Sequence, residues 1–251
     1  MVANGRIRSR NQVGDYAGSV ARLPQALQGT PVGQTRLSRE ELGELQLGRI
    51  LDAATQVFAK RGYQDSTVDN IVATAGIGVG SFYAHFDGKE ACLDRVCQRI
   101  SEEAHAALAA SIGDGGSWDQ RLCDGLRGLL CFAAANPLSA RVVLLEAQTG
   151  GDGAPARYGE MIDAIADFLR RGREVSTSKR EWPPALEEAT ASGLCWLLQS
   201  RLVRGELDDV DALFSEMAEI ALEPYLGAAA TKRSIAAALA RAARSSAPRR
   251  A

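Results

Sequence analysis

Between residues 77 and 90 the sequence reads Ile-Gly-Val-Gly-Ser-Phe-Tyr-Ala-His-Phe-Asp-Gly-Lys-Glu, and its aromatic, imidazole and ammonium groups are spaced for recognition at a surface. Phe82 and Phe86 lie four apart, so on a helix both point inward. Val79, Ser81, Ala84 and His85 are then left on the outer side, with Tyr83 at the flank. Elsewhere the reactive residues do not converge. The chain holds two histidines, no Gly-rich phosphate loop, no Gly-x-Ser-x-Gly elbow and no Cys-x-x-Cys pair, which argues against an enzyme and against a bound cofactor. Cys92, Cys97 and His105 fall on one predicted helix at spacings of five and eight, which do not converge on a tetrahedral metal, so no metal site is expected. The five cysteines (Cys92, Cys97, Cys123, Cys131, Cys195) are scattered within apolar helical patterns and read as buried free thiols, with a redox-sensing thiol as the alternative.

The elements around this stretch are helical throughout. Leu47, Ile50, Leu51, Ala54 and Phe58 recur at helical spacing until Lys60-Arg61-Gly62, which predicts a first helix from about Glu40 to Arg61. Thr67 can cap a second, two-turn helix with Val68, Ile71, Val72 and Ala75 on one face and Gly76 at its end. A third short helix covers Val79 to Phe86. Asp87 and Glu90 have the spacing of a capping box for a fourth, running to about Ser111. Further patterns predict helices over Trp118–Ala135, Pro137–Gln148, Pro155–Val175, Pro183–Arg204 and Asp209–Leu226, about nine in all, with no alternating strand pattern. The expected fold is all-α: an N-terminal three-helix helix-turn-helix domain followed by a larger C-terminal helical domain. The expected division is a flexible arm at 1–38, a helix-turn-helix domain at 39–90, a larger helical domain at 91–226 and a basic tail at 227–251, read as a frayed, solvated extension.

Composition limits the partners. The chain has 251 residues, 46% hydrophobic and 24% charged, enough to bury a sizeable core. No apolar run is long enough to span a membrane, and the arginines of the first ten residues precede no apolar segment, so a cytoplasmic protein without a membrane partner is expected. The formal net charge of −2 hides segregation. Residues 1–100 carry 12 basic and 10 acidic groups, 101–226 carry 11 and 21, and 227–251 carry six and none. Any contact with phosphate must therefore come from the first hundred residues or the tail. Arg6, Arg8, Arg10, Arg22 and Arg36 read as part of a solvated arm, with minor-groove insertion as the alternative.

Two short amphipathic helices joined by a glycine-bearing turn let the second helix leave its own core and enter a groove. The run from Thr67 to Glu90, extended back through Phe58, Arg61, Gly62 and Tyr63, resembles the signature of the TetR family of bacterial repressors over about 50 residues. That resemblance implies a DNA-binding domain on a larger helical domain that dimerises and binds a small effector. It implies that Thr67 caps the second helix and touches a phosphate, that Tyr83, His85 and Lys89 hold the DNA backbone, and that Val79, Ser81 and Ala84 face bases. Gly78 belongs to the same DNA-binding set, but stands where the family often has Ser or Thr, so a side-chain cap and a backbone contact are missing. With such small residues outward, methyl contacts and DNA shape carry much of the expected specificity.

The expected partners are a palindromic double-stranded operator, a second copy of the chain and a hydrophobic effector, the protein acting as a repressor released by that effector. The resemblance places the dimer interface on the last two predicted helices, where Leu194, Leu197, Leu198, Leu202, Leu213, Met217 and Ile220 form an apolar stripe; intramolecular packing explains the same stripe. Candidate pocket residues are Cys123, Leu126, Leu130, Val143, Met161, Ile165, Phe168 and Trp196, with ordinary core as the competing reading.

Overall fold

The computed structural model describes residues 38–113, 115–150, 154–176 and 181–246. Apart from Ser38, the expected N-terminal arm, with its five arginines, lies outside the described residues. Among the described residues there are eleven α-helices, one single-turn 3-10 segment and no strand.

Local signals set the first helices. Ser38 begins α1 (Arg39–Arg61) with a reciprocal box: its hydroxyl accepts from the Glu41 amide at 3.1 Å and its own amide donates to the Glu41 carboxylate at 2.6 Å. The box places the start one residue before the predicted one. Thr67 does the same for α2 (Val68–Ala75) with Asn70 in the Glu role. Gly76 closes α2 at φ 63°, a left-handed position that favours glycine. α3 is only Val79–Tyr83, and the chain continues to Phe86 as a turn in which the His85 and Phe86 amides both donate to the Phe82 carbonyl. The expected Asp87–Glu90 box does not form. α4 (Lys89–Ser111) begins after Gly88, which puts Glu90 one position too early to reach back.

The later helices depart further from the sequence reading, each break having a tertiary cause. α5 (Trp118–Ala135) lies against α4 so closely that a Cβ on Gly125 would stand 2.9 Å from Leu108 Cδ1. The helix expected over 137–148 splits into α6 (Pro137–Leu144) and a 3-10 turn (Glu146–Gln148), because the side-chain amides of Gln148 and Gln199 donate to the Leu144 carbonyl. The one expected over 155–175 splits into α7 (Ala154–Arg170) and α8 (Gly172–Val175). Trp118 Nε1 donates to the Phe168 carbonyl at 3.0 Å, taking the acceptor that a continuous helix would use. α9 (Leu186–Arg204) starts after the two prolines, and the Asp209 carboxylate caps α10 (Val210–Leu226).

The tail is not a frayed extension. Residues Ala228–Ser246 form α11, packed on α5 and α10. Arg241 bonds Asp124 at 2.7 Å, Ser234 bonds Asp119, and Ala238 and Thr231 are buried. Ile235, Ala238 and Leu239 set the helix against the second core, while Lys232, Arg233 and Arg244 are exposed and Arg241 is paired.

Two main cores result. The first gathers α1 to α4 around Ile50, Phe58, Ile71, Phe82 and Leu93, and is completed by Val142 of α6 and Ala147 of the 3-10 turn. The second joins α5, α7, α9, α10 and α11 around Trp118, Leu130, Phe214, Leu222 and Tyr225. A small cluster of Ala133, Ala140 and Leu144, with Met161, Leu198 and Leu202 against it, fills the space between α5, α6, α7 and α9.

Candidate nucleic-acid interface

α3 is too short to hold itself. Its N-cap, Gly78, makes no side-chain bond, and five residues complete barely more than one turn. Its position comes from below: Phe82 is fully buried, Phe86 is buried beside it with ring centroids 5.4 Å apart, and both belong to the first core. That anchoring leaves Val79 43% and Tyr83 55% exposed, with Gly80 and Ala84 also exposed and Ser81 and His85 half-buried. All five side chains assigned to bases or backbone on this segment therefore reach solvent on one short element. Thr67, at the start of α2, is exposed while its hydroxyl receives the Asn70 amide.

Lys89 is placed differently from the expectation that it holds a phosphate. Its ammonium donates to the carbonyls of Tyr63 at 2.8 Å, Ser66 at 2.9 Å and Gln64 at 3.4 Å, and lies 4.2 Å from the Tyr63 ring centroid. An ammonium has three protons, and all three are used inside the fold. Lys89 thus ties the start of α4 to the α1–α2 loop.

Four hydrogen bonds invisible to sequence periodicity complete the frame. Arg49 of α1 donates through Nη2 to the carbonyls of Ala75 at 2.7 Å and Gly76 at 3.3 Å, at the turn that precedes α3. Glu146, beyond α6, accepts the Tyr63 amide at 2.8 Å, and Gln64 donates to the Thr149 carbonyl at 2.9 Å. These pairings join residues far apart in the chain, for which a single sequence carries no spacing signal.

The candidate pocket residues separate. Cys123 and Leu130 are buried in the second core, with Leu126, Met161, Ile165 and Phe168 half-buried against it. Val143 packs on the first core instead, and Trp196 is 62% exposed on α9. The expected interface stripe separates too: Leu194, Leu213 and Met217 are buried in the second core, Leu197, Leu198 and Leu202 are half-buried, and Ile220 is 47% exposed. The residues that α9 does leave outward include Trp196 and Val203. Most of the stripe thus packs within the chain, because leucine periodicity marks a buried face without saying what buries it.

Burial pushes the thiols of Cys92 and Cys123 up to about 12 and that of Cys195 to about 11, which disfavours the thiolate at these three positions. Among the described residues no three His, Cys, Asp or Glu side chains are grouped to hold a metal, and no single helix is long and apolar enough to cross a membrane.

The family model for bacterial regulatory proteins of the tetR family matches residues 50–96, from the core of α1 into α4. The uncharacterized HTH-type transcriptional regulator TtgW of Pseudomonas putida is 35% identical over 122 residues, covering 49% of this chain and 87% of that protein. The chain belongs to the TetR family. Another relative, the A-factor receptor protein of Streptomyces griseus, is 32% identical over 129 residues, half of this chain but only 43% of its own length. Solved TetR-like structures share the fold over most of the molecule. A γ-butyrolactone receptor (ArpA-like protein) superposes with a TM-score of 0.64 at 22% identity, covering 79% of this chain and 97% of that one. The transcriptional regulator FadR from Bacillus subtilis, solved with stearoyl-CoA, superposes with a TM-score of 0.59 at 19% identity, covering 72% and 98%.

Proposed function

We propose that this TetR-family chain is a sequence-specific DNA-binding transcriptional regulator, a cytoplasmic repressor that leaves its palindromic operator when a hydrophobic effector binds. The observation that carries the reading is α3: one exposed turn, anchored from beneath by Phe82 and Phe86, with its outer side open to solvent. Val79, Ser81 and Ala84 face bases, Tyr83, His85 and Thr67 contact phosphates, and Gly78 lets the backbone approach closely. Lys89 serves by holding the α1–α2 loop.

One short helix binds weakly, so two copies must present paired turns about 34–36 Å apart. The exposed apolar side of α9, with Trp196 and Val203, and the neighbouring Ile220 of α10 suit a second copy better than the buried leucines do. The half-buried Leu126, Met161, Ile165 and Phe168 support an apolar effector site among α5, α7 and α9. The names of the relatives, a receptor for A-factor and a regulator solved with stearoyl-CoA, support a ligand of that character. The turn carrying Glu146 packs on the first core and contacts α7 of the second, and so offers the effector a lever on the α1–α2 loop.

The test is a mobility shift on a duplex from the protein's own upstream intergenic region. Binding that falls steeply with salt, weakened about tenfold by Tyr83→Ala with the salt slope unchanged because the phenol carries no charge, supports the reading. No salt-dependent shift, and no effect of Tyr83→Ala, contradicts it.

A further inference from the structure

We propose that Arg49 is a positioning residue for the recognition turn, fixing from α1 the carbonyl end of α2 from which the uncapped α3 leaves; the inference rests on the DNA-binding reading above. α2 ends with its carbonyls aimed at the α2–α3 turn and has no basic residue in its own last turn. A helix C-terminus in that state favours a cation and needs donors for its last carbonyls. Arg49 supplies both from another helix, through one guanidinium nitrogen bonded to Ala75 and Gly76. It stands next to Ile50, which is fully buried, so its base is fixed by the first core.

The need for such a grip lies in the composition of the turn. Three glycines, Gly76, Gly78 and Gly80, fall within five residues, and a Cβ on Gly78 or Gly80 would meet nothing within 4 Å. The backbone entering α3 therefore has no cap hydroxyl and no side-chain contact at Gly78 or Gly80, and Ile77, half-buried against the first core, is its side-chain anchor beside Arg49. A Cβ at Gly76 would stand 3.3 Å from Arg49 Nη2, so the left-handed glycine also makes room for the guanidinium. Downstream, Phe82 fixes the far end of α3; upstream, Arg49 fixes the turn from which it leaves. Without Arg49 the five-residue helix pivots on its phenylalanine, and base contacts that depend on orientation weaken before phosphate contacts do.

The test uses the full chain and a duplex selected by the wild-type protein from a random pool. Arg49→Ala is expected to lower affinity for that duplex about tenfold while leaving binding to unselected DNA and the salt slope unchanged, since no phosphate contact is lost. Arg49→Lys, which keeps one donor for the same carbonyls, recovers part of the loss. Amide hydrogen exchange without DNA is expected to quicken over Ile77–Tyr83 in Arg49→Ala, with circular dichroism showing the chain still folded. Unchanged exchange overturns the proposal whatever happens with DNA. A salt slope reduced by about one also overturns it, because Arg49 is then a direct phosphate contact. If the wild type selects no duplex, the DNA-binding reading fails while the exchange result still decides whether Arg49 holds the turn.

Discussion

The two cores of this molecule are written in different kinds of signal. In the first, caps, glycines and apolar spacing lie within a few residues of what they determine: Thr67 with Asn70, Gly76 at the end of α2, Phe82 with Phe86. In the second, the determining contacts join distant helices. Glu187, fully buried on α9, receives the Arg173 guanidinium at 2.7 and 2.8 Å and the Tyr225 hydroxyl at 2.8 Å, so α8, α9 and α10 meet at one carboxylate. A turn that must keep its outer side free needs a rigid local frame; the larger helical domain settles its helices against one another.

The sharpest way to break the comparison is to damage each core at its centre. Phe82→Ala is expected to cost about 3–5 kcal/mol, the range for emptying a buried phenylalanine site, and to abolish operator binding. Urea unfolding and a mobility shift on the same sample check it.

The matching change in the second core is Glu187→Gln. It leaves Arg173 without its anion and is expected to cost about 3 kcal/mol, at the low end for a broken buried pair because Arg173 keeps some solvent. The bonds from Arg173, against the cost of burial, hold the Glu187 carboxyl below its ordinary value. Its contribution to stability is therefore complete above about pH 4.3, the unfolded value, and is lost as pH falls through the folded one. Urea midpoints followed into acid are expected to drop more steeply in the wild type than in Glu187→Gln.

A smaller effect concerns the outer side of α9. Trp196→Glu is expected to weaken self-association by about 2 kcal/mol, as for a central aromatic in an interface, and leave the fold intact. Light scattering against concentration measures it; an unchanged dimer places the interface elsewhere. Smallest is Arg241→Ala on α11. Its partly exposed pair with Asp124 is worth about 0.5–1 kcal/mol, and hydrogen exchange is expected to quicken at the C-terminal turns of α11 alone.

How far the sequence can be read follows the same division. The order and type of the helices through Leu226, and the solvent side of α3, come from repeating apolar positions and turn residues that any chain displays locally. The break at Arg171 carries no local mark because its cause, Trp118, sits on another helix, and at Leu145 the local bond from Gln148 is joined by one from the distant Gln199. α11 reads as frayed because alanine and arginine are equally at home in a solvated extension; its dock is the second core and α10, with Asp119 and Asp124, more than a hundred residues away, bonding Ser234 and Arg241. Lys89 points outward by resemblance and is turned inward by three carbonyls of a loop whose shape no motif encodes. The leucines of α9 and α10 carry a periodicity that marks burial equally well within a chain and between chains.

A crystal structure of the protein on a duplex it selects tests the central claim most directly. The account requires α3 of each protomer in the major groove, Val79, Ser81 and Ala84 against base edges and Tyr83 on a phosphate. DNA seated instead along the basic side of α11, with the outer side of α3 turned away from it, would contradict the account.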